Sequence, residues 1–107
     1  MESSERKIQE IQILEQNLHN MLLQKQNFQI EMSETQNALE ELEISGEETY
    51  KIIGQLMLKA DKETMKKELT EKQETLELRI KTLEKQENGM SKKIENLREE
   101  IMGSMKK

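Results

Sequence analysis

The sequence predicts a mainly α fold: a long antiparallel two-helix coiled coil with a short central β hairpin that assembles into an oligomeric β body. Three observations predict it. Apolar residues recur at heptad spacing in two stretches of about forty residues each. No proline occurs anywhere in the 107 residues, so nothing removes a backbone donor from a long helix. Between the stretches lies a β-branched and aromatic segment that continues neither register. Composition agrees: 33% of residues are hydrophobic, 36% are charged, and Phe28 and Tyr50 are the only aromatics. That is too little for a globular core and enough for a thin apolar seam.

The first helix is expected over about residues 5–44. Its a positions are Ile11, Leu18, Lys25, Met32 and Leu39, and its d positions are Leu14, Met21, Phe28, Thr35 and Leu42. A 3.5-residue repeat sustained this far needs a partner helix to cover it. Ser3 or Ser4 is expected to cap its start, with Glu5 in the first turn. Ser45-Gly46 is expected to stop it, with Gly46 as a left-handed cap residue.

The hairpin is expected over about residues 49–60. Thr49 to Ile53 has strand composition, Gly54-Gln55 suits a type II′ turn, and Leu56 to Ala60 forms the return strand. The second helix follows over about residues 62–105, capped by Asp61 with Glu63 in its first turn. Its d row is Leu69, Leu76, Leu83, Met90 and Leu97, and its a row is Lys66, Gln73, Ile80, Glu87, Ile94 and Ile101. Matched arms of about 60 Å and a short connection require the helices to fold back antiparallel, with Leu42 near the start of the second and Ile11 near its Met90–Ile94 region. Residues 1–107 thus read as one domain. Lys25, Gln73 and Glu87 interrupt the seam, and for Lys25 and Glu87 we expect the stems to pack while the heads reach water; the alternative is that polar seam residues fix the register.

A two-stranded hairpin is marginal in water by itself. This one exposes Tyr50, Ile52, Ile53, Leu56, Met57 and Leu58 beside unpaired strand edges, more than two helices can cover. The sequence therefore predicts that strands from several subunits pair into a shared body.

No catalytic constellation is present. There is no cysteine, and the single histidine, His19, falls at an outward b position, so neither a transition-metal site nor a cysteine nucleophile is available. The four glycines are too dispersed to cradle a phosphate. We expect no enzyme activity and no cofactor. The net charge is −5 with both signs interspersed, which does not fit nucleic-acid binding. No apolar run reaches the roughly 18 residues that span a bilayer, and the N-terminal residues lack a signal pattern. A cytoplasmic protein without membrane contact is expected.

Several apolar residues miss the seam, among them Ile8, Ile13, Leu22, Leu23, Ile30, Ile44, Leu78, Met102 and Met105. Ile8, Ile13, Met102 and Met105 should gather where the arms end, beside Ile11, Leu14 and Ile101. Methionine is flexible and polarisable, which suits promiscuous apolar contact. Two readings stay open for these seven residues: a surface that holds unfolded chains, or loose helix ends with incomplete burial.

The central stretch Glu48-Thr49-Tyr50-Lys51-Ile52-Ile53-Gly54-Gln55-Leu56-Met57-Leu58-Lys59-Ala60-Asp61-Lys62-Glu63 resembles the corresponding stretch of archaeal-type β-class prefoldin subunits. Residues 35–42 look like the end of that family's first helix, and residues 76–87 look like its second. The resemblance implies a hexamer of two α-class and four β-class subunits, with this chain in the β class because it has room for one hairpin. It implies a chaperone that needs no ATP, captures non-native polypeptides at its coiled-coil tips and passes them to a group II chaperonin in the cytosol. The short termini look archaeal. The alternative is a structural coiled-coil adaptor that binds one folded partner, for which strands that build a shared body serve no purpose.

Overall fold

The computed structural model describes residues 2–46 and 49–105, with side chains for 4–46 and 49–104. Helix α1 (Glu2–Ile44) leads to strands β1 (Thr49–Ile53) and β2 (Leu56–Ala60) and then to helix α2 (Lys62–Met105). The chain divides into two compact units: residues 28–79, which hold the hairpin, and residues 1–27 with 80–107, which hold both ends.

In the hairpin unit, β1 and β2 pair antiparallel with Ile53 opposite Leu56 and Thr49 opposite Ala60. Gly54 has φ 60°, and no other described residue has a positive φ. Positive φ at the first central position alone is the geometry of the expected type II′ turn, and glycine supplies it without a Cβ penalty. Asp61 caps α2: its Oδ2 accepts from the Thr64 backbone N–H at 3.3 Å and from the Thr64 hydroxyl at 3.0 Å. Asp61→Ala should cost about 1 kcal/mol, measured as a lower midpoint of urea unfolding. The end of α1 is closed differently from expectation. Gly46 does not take a left-handed conformation. Instead the Ser45 hydroxyl donates to the Leu42 carbonyl at 2.9 Å, one that a glycine cap would have served, and the Lys62 ammonium donates to the Ser45 carbonyl at 3.1 Å.

The seam of this unit is built on Leu42 and Leu76, both buried, with Met32, Leu39 and Leu69 half-buried. Thr35 is 3% exposed at its d position and satisfies its hydroxyl on the Glu31 carbonyl at 2.7 Å. The Arg79 guanidinium lies 5.7 Å from the centre of the Phe28 ring, close enough for a cation–π attraction. The α2 register departs from expectation in its first turns. Lys66 points outward to Glu43, and Met65 takes the seam position, so the half-buried residues run Lys62, Met65, Leu69, Gln73. These steps of three, four and four are a stutter, which locally unwinds a coiled coil. The bond from Lys62 to Ser45 fixes the phase of the first turn, and the heptads resume from Gln73.

In the unit that holds both ends, Ile11, Leu83 and Ile94 are buried, and Leu14, Leu18, Met21, Ile80, Met90, Leu97 and Ile101 are half-buried. Lys93 pairs with Glu10 at 3.5 Å and Lys7 with Glu100 at 3.3 Å, which sets the helices antiparallel with Ile11 within about one turn of Ile94. Arg98 pairs with Glu15. The start of α1 is corrected: the helix already runs at Glu2, so Ser3 and Ser4 lie inside it and neither is its cap. Lys25 and Glu87 also differ from expectation. Their heads do not reach water separately. Lys25 Nζ donates to Glu87 Oε2 at 3.2 Å, with Glu84 Oε1 at 4.0 Å, and the two side chains of the close pair are only 21% and 15% exposed.

Candidate functional site

The hairpin presents apolar side chains on both of its faces. The pleat places Lys51, Ile53, Leu56 and Leu58 on one side and Tyr50, Ile52, Met57 and Lys59 on the other. Tyr50, Ile52, Ile53, Leu56, Met57 and Leu58 are all exposed, with Ile52 at 68% and Met57 at 66%. The first residue pair is anchored: Thr49 is buried and its hydroxyl donates to the Ala60 carbonyl. On the same side, Lys51 Nζ donates to Glu68 Oε2 at 2.9 Å, which ties β1 to α2. Composition did not single out Thr49 or this ion pair; the alternation of the strand, with Thr49 and Lys51 two residues apart, was the available signal.

Near the chain ends the expected cluster separates into two sets. Ile8, Ile13 and Met102 are exposed. Ile11 is buried, and Leu14 and Ile101 are half-buried in the seam between the helices. The Met105 side chain lies outside the described residues. The remaining outward residues, Leu22, Leu23, Ile30, Ile44 and Leu78, are exposed as their heptad positions require.

Ile13 lies in a shallow, open patch on α1, lined otherwise by four amides, Gln9, Gln12, Gln16 and Asn17. Heptad analysis passes over such a patch, because amides at b, f and g positions look like ordinary solvated surface. A second, smaller depression of about 150 Å³ lies in the hairpin unit around Leu42, Glu43, Lys62, Glu63 and Lys66. There Lys66 Nζ lies 3.0 Å from Glu43 Oε1. The hydrogen bond from Lys66, and then its charge, hold the Glu43 carboxyl below its ordinary pKa, and the same bond holds the Lys66 ammonium above its own. The pair therefore stabilises the fold across neutral pH. It is lost in acid as pH falls through the lowered Glu43 value, and in base as pH rises through the raised Lys66 value. Both groups are open to solvent, so the contribution is small.

Among the described residues, no three His, Cys, Asp or Glu side chains are placed to hold a metal ion. No helix among them is long and apolar enough to cross a membrane. What the geometry offers is apolar surface: six exposed residues on the hairpin, and exposed aliphatic and amide side chains on the helices.

Comparison with known proteins gives a consistent picture. Residues 5–107 match the family described as prefoldin subunit. The chain is 40% identical over 94 residues to the prefoldin subunit beta of Thermococcus onnurineus, a match covering 86% of this chain and 81% of that one. It is 39% identical over 93 residues to the prefoldin subunit beta of Sulfurisphaera tokodaii, covering 85% and 74% respectively. Among solved structures, that of the prefoldin beta subunit from Thermococcus strain KS-1 superposes with a TM-score of 0.87 at 33% identity, over 94% of this chain and 90% of that one.

Proposed function

The chain belongs to the prefoldin family, its matched relatives being archaeal β subunits, and from that premise we propose that it is a holdase subunit that captures non-native polypeptides without ATP and delivers them to a group II chaperonin in the cytoplasm. In this reading residues 1–107 act as one prefoldin-like domain. The chain assembles with an α-class partner, two α and four β subunits together, through Tyr50, Ile52, Ile53, Leu56, Met57 and Leu58. Clients are held by Ile8, Ile13, Met102 and Met105, with Ile11, Leu14 and Ile101 behind them. There is no chemical step: no bond is made or broken, and no cofactor is required.

The observation that carries the reading is the exposure of Ile8, Ile13 and Met102 in the unit that holds both chain ends, while the hairpin that would build the assembly belongs to the other unit. Each such contact is weak, about 1 kcal/mol for partial burial of one aliphatic side chain. Several arms acting on one client multiply weak contacts through effective concentration. The assembled protein should suppress aggregation of chemically denatured clients with no nucleotide present. The triple variant Ile8→Ser, Ile13→Ser, Met102→Ser should keep the mass of the assembly and hold clients at least about tenfold less tightly. Failure of the intact assembly to suppress aggregation of any of several clients would refute the holdase reading.

A further inference from the structure

The chain carries eight methionines and no cysteine, so its only sulfur is thioether sulfur. Hydroperoxides oxidise a thioether to the sulfoxide where they can reach it, which turns a flexible apolar side chain into a polar one. Access divides the described methionines into two groups. Met21, Met32, Met65 and Met90 are half-buried along the seams between the helices. Met57 is 66% exposed and Met102 is 59% exposed. Met57 stands on the hairpin opposite Ile52, on the side that also carries Tyr50 and Lys59. Neither strand preference nor volume accounts for a methionine there. β-Branched and aromatic residues suit a strand better. Its neighbours Leu56 and Leu58 fill a similar volume without a reactive atom.

We propose that Met57 is a site of reversible oxidation by hydroperoxides, open in the unassembled chain and closed by assembly, and that its sulfoxide keeps the chain out of the assembly. The inference rests on the reading in which the hairpin joins subunits, and it adds a state in which that joining is switched off. In the step, the thioether sulfur attacks one oxygen of the peroxide. The S–O bond forms as the O–O bond breaks, the sulfur gives up two electrons, and hydrogen peroxide leaves as water, its proton passing from the transferred oxygen to the departing one. In the single chain the new oxygen meets water, and no seam contact depends on Met57, so the helices stay folded. An assembly built on the hairpin would bury that oxygen among apolar side chains and strip it of water, which is unfavourable for an acceptor without a partner. The order of events then decides the outcome. A chain that assembles first shields its sulfur, whereas a chain that meets peroxide first remains single until the sulfoxide is reduced. Met102 belongs to the unit that holds both chain ends and is exposed to a similar degree, so it serves as an internal measure of the oxidant.

Hydrogen peroxide applied to the full chain before and after mixing with its α-class partner tests this. Peptide mass mapping follows the gain of one oxygen at each methionine. In the unassembled chain Met57 and Met102 should oxidise together, ahead of Met21, Met32, Met65 and Met90. In the assembly Met57 should oxidise at least about tenfold more slowly while Met102 keeps its rate. Chain that is oxidised first, freed of peroxide and then mixed should sediment as single chains with unchanged helix content by circular dichroism. Its affinity for assembly should fall at least about tenfold for each sulfoxide to be buried. Methionine sulfoxide reductases that act on both epimers should restore assembly. Met57→Leu should assemble with or without prior peroxide, whereas Met102→Leu should remain sensitive. Full-mass assembly by a chain whose Met57 is verified as the sulfoxide would overturn the proposal. So would equal loss of assembly by peroxide-treated Met57→Leu, or equal rates at Met57 and Met102 within the assembly. A chain carrying Ile52→Asp with Met57→Asp separates this inference from the reading beneath it. If that chain stays single while the sulfoxide form assembles, only the oxidation proposal fails. If it too assembles in full, the hairpin reading fails and this inference goes with it.

Discussion

Ile52→Asp with Met57→Asp is expected to convert the assembled protein into single chains whose helices remain folded. The two residues face each other across the hairpin, on the side that also carries Tyr50 and Lys59. Both are largely exposed in the single chain, so aspartate there removes almost no packing within it. An assembly built on the hairpin would bury them. Each substitution then forfeits about 1.5–3 kcal/mol of apolar burial and places a carboxylate where water is excluded, at a further cost of several kcal/mol. Repeated at each β-type interface, that exceeds what a shared small sheet supplies. Sedimentation should report the mass of one chain, and circular dichroism should report unchanged helix content. The companion variant Ile52→Thr with Met57→Thr keeps β propensity while shrinking the apolar surface, and it should weaken assembly without abolishing it. Full-mass assemblies from the aspartate variant would mean that the hairpin is not where subunits meet.

Most of the fold was legible because a coiled coil writes its contacts into spacing. Every a and d residue expected in the first helix is buried or half-buried, down to Thr35 and Lys25. The turn was legible because type II′ geometry demands glycine at one position. What was not legible depends on single contacts. At the start of α2, Met65 and Lys66 are equally compatible with the row that begins at Leu69, being one turn back by four residues or by three. The choice is made by Lys62 reaching the Ser45 carbonyl and by Glu43 drawing Lys66 outward. The end of α1 is decided in a similar way: a glycine after a helix is a frequent signal, but the Ser45 hydroxyl takes the Leu42 carbonyl and Lys62 holds the Ser45 carbonyl. The candidate sites were legible to different degrees. The hairpin surface follows from strand composition alone. The end residues were identified together, yet only placement separates exposed Ile8, Ile13 and Met102 from Ile11, Leu14 and Ile101 in the seam. The amide patch on α1 gives no periodic signal.

Lys25 and Glu87 supply the other large expected effect. In the sequence each is an isolated defect in an apolar row; in the structure they complete one another across the seam. The pair is nonetheless imperfect. Glu87 Oε1 is buried and has no hydrogen-bond partner, so part of the desolvation cost of the carboxylate is not returned. Breaking such a pair from one side costs more than removing it whole, because the partner left behind remains desolvated. Lys25→Met should therefore destabilise by about 2 kcal/mol, less than the roughly 3–5 kcal/mol of a fully buried pair because water still reaches both side chains. Lys25→Met with Glu87→Leu should restore the parent stability or exceed it. A double-mutant cycle on urea unfolding measures the coupling, expected to exceed about 2 kcal/mol because both single losses enter it. Additive single effects would show that the two side chains are stabilised separately by solvent. If the double variant is more stable, the charged layer is retained at a cost, and its role is then alignment. A lysine opposed by Glu84 and Glu87 has one satisfactory position along α2, whereas a methionine facing a leucine in the double variant would tolerate displacement along the seam. Crosslinking of cysteines introduced at Leu14 and Ile94 would then be diminished in the double variant and efficient in the parent, since only a single alignment keeps those two positions level.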